Sequence, residues 1–414
     1  METKKRRKIS LSNKVIIGMI AGAIVGFIVG PKISAIGIVG DVFLRMLRMA
    51  IVPLIFFNVI VAIGGMGDLK KLGSYGLKLI VLFMGTTIAS TTIGLITARV
   101  IRPDAGAILG NLPAAGAIPT APTVSSVILG MFPTNIMQAM SEANMLQVIV
   151  FAIFAGIAIL LLKESDRNRV TGMFEVVSRF IMAILRVVME FLPYGVFALM
   201  AVTTGTYGLK VIGPLSMFIV TIYVGLILHW VITYFGLYYA FTKKNPLTFV
   251  KRAKPIWITS IATCSTAATM PVSIKTCEEE LGLKKDIVGL TIPIGATMNM
   301  DANGLWFGVL AIFVAGLIGV HLSLSQQFVA VFLGVLMTLG SPGIPGGIVV
   351  ASAIFLTALG LPIQVIGLLA GILRIMDMGL TTTNVMGTVF CAAILDAIES
   401  KRKRVTIPES TPNA

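Results

Sequence analysis

The chain has 414 residues, 56% of them hydrophobic and 12% charged, with a formal net charge of +15 and a mean hydropathy of +0.96. A water-facing surface takes about 25% charged residues, so these charges are too few for a soluble protein and lipid must solvate much of the chain. The excess base does not point to nucleic acid, because it is gathered in short runs between apolar segments: Lys4 to Lys8, Lys70/Lys71, Lys243/Lys244, Lys251/Arg252/Lys254 and Lys401 to Arg404. That is the positive-inside pattern of a membrane protein.

The basic N-terminus is followed by an apolar run, Val15 to Val29, without a small-residue cleavage site. We read that run as a retained helix rather than a cleaved signal. A helix needs about 20 apolar residues to cross the hydrocarbon core, and the spans expected on this basis are 15–30, 40–66, 73–101, 146–162, 172–204 and 208–242. Thr86 and Thr87 lie mid-span in the third. Between 104 and 145, Pro113, Pro119, Pro122 and Pro133 break the chain, which predicts an extracellular loop with short helical pieces.

From 247 onward the pattern changes. Segments 247–263 and 269–281 are each too short to cross, and they flank a polar tip at Thr263-Cys264-Ser265-Thr266. Segments 324–340 and 347–360 are also short, and flank Gly340-Ser341-Pro342-Gly343-Ile344-Pro345-Gly346. Each pair reads as a re-entrant helical hairpin, and each is followed by a longer apolar segment, 286–320 and 362–395. Hairpin, span, hairpin, span is an inverted repeat, the arrangement expected of secondary transporters. Re-entrant backbone survives at membrane depth only inside protein or beside a wet cavity. The fold class expected is therefore an all-α membrane protein with eight transmembrane helices and two re-entrant hairpins. Both basic tails would lie in the cytoplasm, which an even number of crossings satisfies. The three cysteines, Cys264, Cys277 and Cys391, and the two histidines, His229 and His321, are too scattered to predict a disulfide framework or a structural metal site.

Two lone carboxylates carry the chemistry. Asp301 is the only acidic or basic residue between Asp286 and Arg374 apart from His321, and Asp377 is the only one between Arg374 and Asp396. A charge at the bilayer centre costs about 2.5–3.5 kcal/mol on insertion scales, and persists where it meets a cation, a substrate or a proton. The bland alternative for Asp377 is an ion pair with Arg374 on the same helix face. Asp301 sits in Asn299-Met300-Asp301-Ala302-Asn303-Gly304, a run of poor helix formers in an apolar segment. We expect an unwound turn there whose carbonyls and carboxylate suit a hard cation. Asp377, Thr381 and Asn384 fall at i, i+4 and i+7 on one helix face, offering a carboxylate to an ammonium group and a hydroxyl and amide to a carboxylate. Thr382 and Thr383 have the alternative of bonding back to helix carbonyls.

At these residues the chain resembles the dicarboxylate/amino acid:cation symporter family, the glutamate/aspartate transporters and their neutral relatives. The resemblance covers nearly the whole length and rests on Met49 to Leu54, on Ile292 through Asp301, on Asp377-Met378-Gly379 and on Thr381 through Val385. It implies a homotrimer in a cell (inner) membrane in which a transport domain moves like an elevator. Residues 1–246 would be mostly scaffold, with helices 3 and 6 joining the transport core at 247–400, and 401–414 would be a cytoplasmic tail.

By the same resemblance the substrate would meet Ser265, Thr266, Asn303, Ile344, Asp377, Leu380, Thr381 and Asn384. Sodium ions would meet Thr86, Thr87, Asn299 and Asp301 at one site and Gly295, Asn384 and the Thr388 position at another. A third would take Thr297 and carbonyls near Thr338, Leu339 and Ser341. Na⁺ is the expected coupling ion and H⁺ the alternative. Four positions depart from the family pattern, one of them Cys264, at the first hairpin tip where bacterial relatives often carry an Arg. Leu380 stands where acidic amino acid transporters carry an Arg for the substrate's side-chain carboxylate, Asn303 replaces a Thr, and Thr388 replaces an Asp of a sodium site. Burying an unpaired carboxylate is costly. The substrate expected from these departures is a neutral rather than acidic amino acid, with binding weakened or absent at the sodium site that includes Asn384. An acidic amino acid or dicarboxylate symporter is the alternative. From other classes, an ion channel and an intramembrane aspartyl protease compete. The protease lacks its motif around Met300-Asp301-Ala302 and Met376-Asp377-Met378, so an enzyme is not expected.

Overall fold

A computed structural model describes residues 11–65, 69–104, 129–130, 132–142, 144–207, 212–339 and 347–406. All regular structure among them is helical. The first half runs α1 Leu11–Val29, a 3₁₀ turn Gly30–Ile36, α2 Gly37–Gly64, α3 Leu69–Ile101, the short α4 Ile136–Ser141, α5 Met145–Leu161, α6 Glu164–Glu190, α7 Leu192–Tyr207 and α8 Ile212–His229. The second half runs through a π-helical turn Trp230–Phe235, then α9 Gly236–Thr242, α10 Pro246–Arg252, α11 Lys254–Thr263, α12 Thr266–Glu279, α13 Lys285–Met298, α14 Asp301–Leu317, α15 Leu324–Thr338, α16 Gly347–Ala358 and α17 Ile366–Thr406.

Among the described residues, five helical segments are long and apolar enough to cross a membrane: Ile17–Phe43, Gly76–Ile101, Gly213–Thr242, Lys285–Leu317 and Ile372–Ser400. A sixth arises if Glu164–Val188 and Leu192–Thr206, bent by 49°, form one broken span. The expected single span over 172–204 is thus two helices. Pro193, at the second residue of α7, has no N–H to continue the ladder, and the chain turns there. The predicted eight crossings need shorter helices such as Gln147–Leu161 to count as well. Most of the stretch 104–145, and the Gly340 to Gly346 tip with Ser341 and Ile344, lie outside the described residues.

Burial separates two kinds of span. In α1 the apolar side chains face outward, Ile17, Ile24, Phe27 and Ile28 being more than half exposed, as lipid-facing residues are. In the windows of Lys285–Leu317 and Ile372–Ser400, 89% and 83% of residues are buried inside the protein. Packing follows the same division. Helix α2 lies against α5, α6 and α7, and α1 against α7, whereas α3 and α8 pack on α14, and α17 on α11, α13 and α14.

Glycines set the closest of these approaches. Gly18, Gly22 and Gly26 repeat every fourth residue along α1, and a Cβ at any of them would sit 2.1–2.5 Å from a carbonyl oxygen of α7. At the α3–α14 crossing a Cβ on Gly94 would meet the Leu305 carbonyl at 2.3 Å, and one on Gly308 the Thr91 carbonyl at 2.3 Å. Small residues let helix backbones approach where lipid supplies no hydrophobic drive. Here they press α3 against the first turns of α14, where the buried carboxylate lies.

Candidate functional site

The apolar run 285–317 breaks at Asn299 and Met300, whose ψ angles are 73° and 54°. Pro293 inside α13 weakens the ladder before the break. The unwound residues are fewer than the sequence suggests. Asn303 and Gly304 are helical, and Asp301 is the first residue of α14, where the positive end of the helix dipole favours an anion. The break takes replacement hydrogen bonds from a neighbouring helix. The Ala302 N–H donates to Asn384 Oδ1 of α17 at 2.8 Å, and Asn384 Nδ2 donates to Asn303 Oδ1 at 3.1 Å. Asn303 therefore holds the Asn384 amide in place.

Asp301 is fully buried, and polar groups from three other segments converge on it. Tyr234, in the π-helical turn, donates its hydroxyl to Oδ2 at 2.7 Å. The Thr87 hydroxyl on α3 lies 2.6 Å from Oδ1 and 2.8 Å from the Phe83 carbonyl, so its one proton serves either. Ser90, one turn along α3, donates to the Asp301 carbonyl at 2.6 Å. With the Asn299 carboxamide turned so that both its ends are satisfied, its nitrogen donates to Oδ1 at 3.1 Å and its oxygen accepts from the Thr388 N–H at 3.0 Å. His229 Nε2 stands 3.7 Å from Oδ2, with neither ring nitrogen hydrogen-bonded. Burying a carboxylate without partners is prohibitive. These neighbours make the charge tenable, and their oxygens are the donors a hard cation takes. Thr86 is buried one residue away but bonds back to the Phe83 carbonyl at 3.1 Å.

A second polar cluster lies alongside. Thr388 Oγ1 donates to the Asn384 carbonyl at 3.1 Å, and Gly295 leaves the room that Thr388 fills, since a Cβ there would come within 2.3 Å of its methyl. Thr266, Ser273, Gly295, Asn384 and Thr388 line a cavity of about 10 Å³, roughly the size of one water molecule. Thr266 also donates to the Ala296 carbonyl at 3.3 Å, tying the tip of α12 to α13.

The face expected on α17 is assembled. Asp377, Thr381 and Asn384 are all buried. Leu380 between them is 1% exposed and belongs to the apolar core. The tip between α11 and α12 faces this helix. There Cys264 takes the left-handed conformation at φ 49°, and Ser265 caps α12 by accepting from the Ala268 N–H at 3.2 Å. Arg374 donates to the Ala262 carbonyl of that tip at 3.2 Å, and the Cys264 thiol lies within electrostatic range of both Asp377 and Arg374.

Of the remaining expected residues, Thr382 does bond back to the Met378 carbonyl, at 2.7 Å, while also accepting from Ser260 at 3.0 Å. Thr383 accepts from Trp230 Nε1 at 2.9 Å. The Thr297 side chain is exposed and bonds to the Ile294 carbonyl, away from the Asp301 cluster. A helical residue two positions before the break points to the opposite side. Thr338 is buried, donating to the Val335 carbonyl at 2.6 Å, and Leu339 ends α15 in an extended conformation. Ser90, His229 and Tyr234 escaped the sequence reading. Ser90 had a signal in its i+4 spacing from Thr86, and His229 in being the lone histidine of a 30-residue apolar span. Tyr234 had none, because only the π turn aims it at Asp301.

A buried carboxylate at a broken helix and a second on a buried helix face, between tightly packed membrane-length helices, are the polar interior of a membrane protein that can hold small polar solutes away from lipid. Comparison with known proteins narrows that class. The chain belongs to the sodium:dicarboxylate symporter family, whose model matches residues 11–398. It is thus a transporter of the symporter type and not an enzyme. It is 30% identical over 412 residues to the proton/sodium-glutamate symport protein of Bacillus caldotenax, covering 95% of this chain and 96% of that one. It is 27% identical to the proton/glutamate-aspartate symporter of Escherichia coli, over 97% and 95% of the two chains. To the C4-dicarboxylate transport protein of Laribacter hongkongensis it is 28% identical, over 100% and 96%.

Proposed function

We propose that this protein is a cation-coupled symporter for an acidic amino acid of the glutamate/aspartate class. The observation that carries the reading is the buried face of Asp377, Thr381 and Asn384 in a chain whose full-length relatives are named for glutamate, aspartate and C4-dicarboxylates. Asp377 takes the substrate ammonium, Asn384 and Thr381 the α-carboxylate, and Ser265 and Thr266 close from the hairpin tip. Because Asp377 repels a substrate without an amino group, amino acids are favoured over plain dicarboxylates.

The neutral substrate expected from Leu380 gives way as the leading reading, since the relatives favour the acidic alternative. The physical objection was that no cation meets a side-chain carboxylate. Arg374, three residues before Asp377 on α17 and bonded to the Ala262 carbonyl at the hairpin tip, is the cation assigned that role in this reading. The neutral reading stays as the second, because Leu380 is buried in the apolar core and offers no charge at the family's usual position.

Na⁺ or H⁺ is the coupling ion, as in the relatives named for both. Asp301, Thr87 and Asn299 form the cation site, and Thr388 with Gly295 and Asn384 a weaker second one. We further propose eight crossings with both termini cytoplasmic, two re-entrant hairpins, a homotrimer and elevator motion of 247–400 with α3 and α8 against the remainder. The division of packing between α1–α2–α5–α6–α7 and α3–α8–α14–α17 supports that partition.

Labelled-aspartate uptake into proteoliposomes tests the reading, with sodium and proton gradients imposed separately and unlabelled glutamate, succinate, serine and alanine as competitors. Inhibition by glutamate and not by serine or alanine is expected. Inhibition by serine or alanine alone would return the substrate to the neutral class.

A further inference from the structure

A roomy cavity lies away from the site above. It holds about 580 Å³, within the range of small-molecule sites. The ends of two membrane-length segments line it, Tyr238, Phe241 and Thr242 from Gly213–Thr242 and Ala393, Asp396 and Ser400 from Ile372–Ser400. It therefore sits where the hydrocarbon stops. Between them the chain reverses. Lys243 adopts φ 58° with its ammonium 5.6 Å from the Tyr239 ring, and Asn245 caps α10 by accepting from the Leu247 N–H.

The cavity is amphipathic. Tyr238, Phe241 and Phe249 give it an aromatic wall, and Lys244 and Arg252 stand at its edge, both exposed. Arg252 spends one donor on the Glu280 carbonyl and keeps others of its five. The one carboxylate in the lining, Asp396, is countered by Lys284, whose ammonium is 3.4 Å from Oδ1 and 2.6 Å from the Ser400 hydroxyl. Two cations thus remain for a ligand. An amphiphile with a phosphate head and an apolar body matches a basic rim over an aromatic wall at this depth, and basic pockets between transmembrane helices take anionic lipid head groups.

We propose that this cavity binds the phosphodiester head of an anionic phospholipid, with Lys244 and Arg252 on the phosphate and the aromatic wall on the glycerol and upper chains. The site bridges α9–α10, the α12–α13 connection and α17, so an occupied cavity braces the entry to the first hairpin against α17.

The test is a thermal-shift titration of the delipidated full chain in detergent with phosphatidylglycerol, phosphatidylcholine or glycerol 3-phosphate. Saturable stabilisation by phosphatidylglycerol alone is expected. A removed cation near a lipid surface weakens binding about fivefold, so Lys244→Gln and Arg252→Gln should each shift the midpoint concentration upward by that factor. If Arg252→Gln does not fold, Lys244→Gln on the exposed turn carries the comparison. Equal stabilisation by phosphatidylcholine, a full shift with glycerol 3-phosphate, or variants titrating like the parent would overturn the proposal.

Discussion

Asp301 is tenable in a membrane because each carboxylate oxygen meets a hydroxyl. A hydrogen bond to a charged group contributes about 1.5–3 kcal/mol, so Tyr234→Phe should lower stability by roughly that amount, read as unfolding of the detergent-solubilised protein. If Asp301 holds the coupling cation as proposed, Asp301→Asn removes the charge of that site. Its expected signature is loss of the sodium-dependent thermal shift while the protein still folds; a variant that keeps that shift would take the cation site elsewhere. Asp377→Asn should abolish amino acid uptake and the substrate-induced thermal shift but leave sodium-induced stabilisation in place, because Asp377 is assigned to the ammonium and not to the ion. The two carboxylates were visible in the sequence as isolated charges. Thr87 and Asn299 beside Asp301 were named through the family resemblance, but Ser90, Tyr234 and His229 were not, because they come from segments 67 or more residues away and no spacing rule connects them.

At the scale of elements, the crossing of α3 and α14 depends on bare backbone at Gly94 and Gly308. A methyl at either must displace a carbonyl rather than a flexible side chain. Overpacking of this kind costs about 1–3 kcal/mol. Gly308→Ala should therefore lower the thermal midpoint and also disturb the Thr87–Asp301 contact, so that sodium affinity falls with stability. Gly172→Ala, at a position where a Cβ meets nothing within 4 Å, is the control and should change neither. The helices themselves were legible from apolar run length, including both short pairs around 263–266 and 340–346. The sequence did not separate α6 from α7, because run length is blind to a proline near a helix start. It placed the unwound turn but drew it too long. The poor helix former Asn303 stays helical while bonded to the Asn384 amide, and tertiary contacts outweigh propensities of under about 1 kcal/mol per residue.

Across the whole molecule, the long α17 connects the site to the chain's basic end. Near that end Glu399 is buried and bonded to Lys78 of α3, pinning two elements that would move as one body. Lys78→Ala leaves a buried carboxylate without its cation, a change that costs more than an unsatisfied neutral group, which costs about 1–3 kcal/mol. Destabilisation with unchanged substrate affinity is the expected result, read by unfolding and by competition binding, and restoration in Lys78→Ala/Glu399→Gln would assign the cost to the orphaned charge.

Composition, apolar run length and two isolated carboxylates were enough to determine a helical membrane protein with a polar site in its C-terminal half, since crossing lipid imposes local demands that each segment must meet by itself. The family motifs around Asp301 and Asp377 were equally local. The tertiary structure alone brought Ser90, Tyr234 and His229 to Asp301, narrowed the helix break to Asn299 and Met300, and bonded Arg374 to the hairpin tip. Those features are sums over segments distant in sequence, and a buried charge is set by everything that surrounds it.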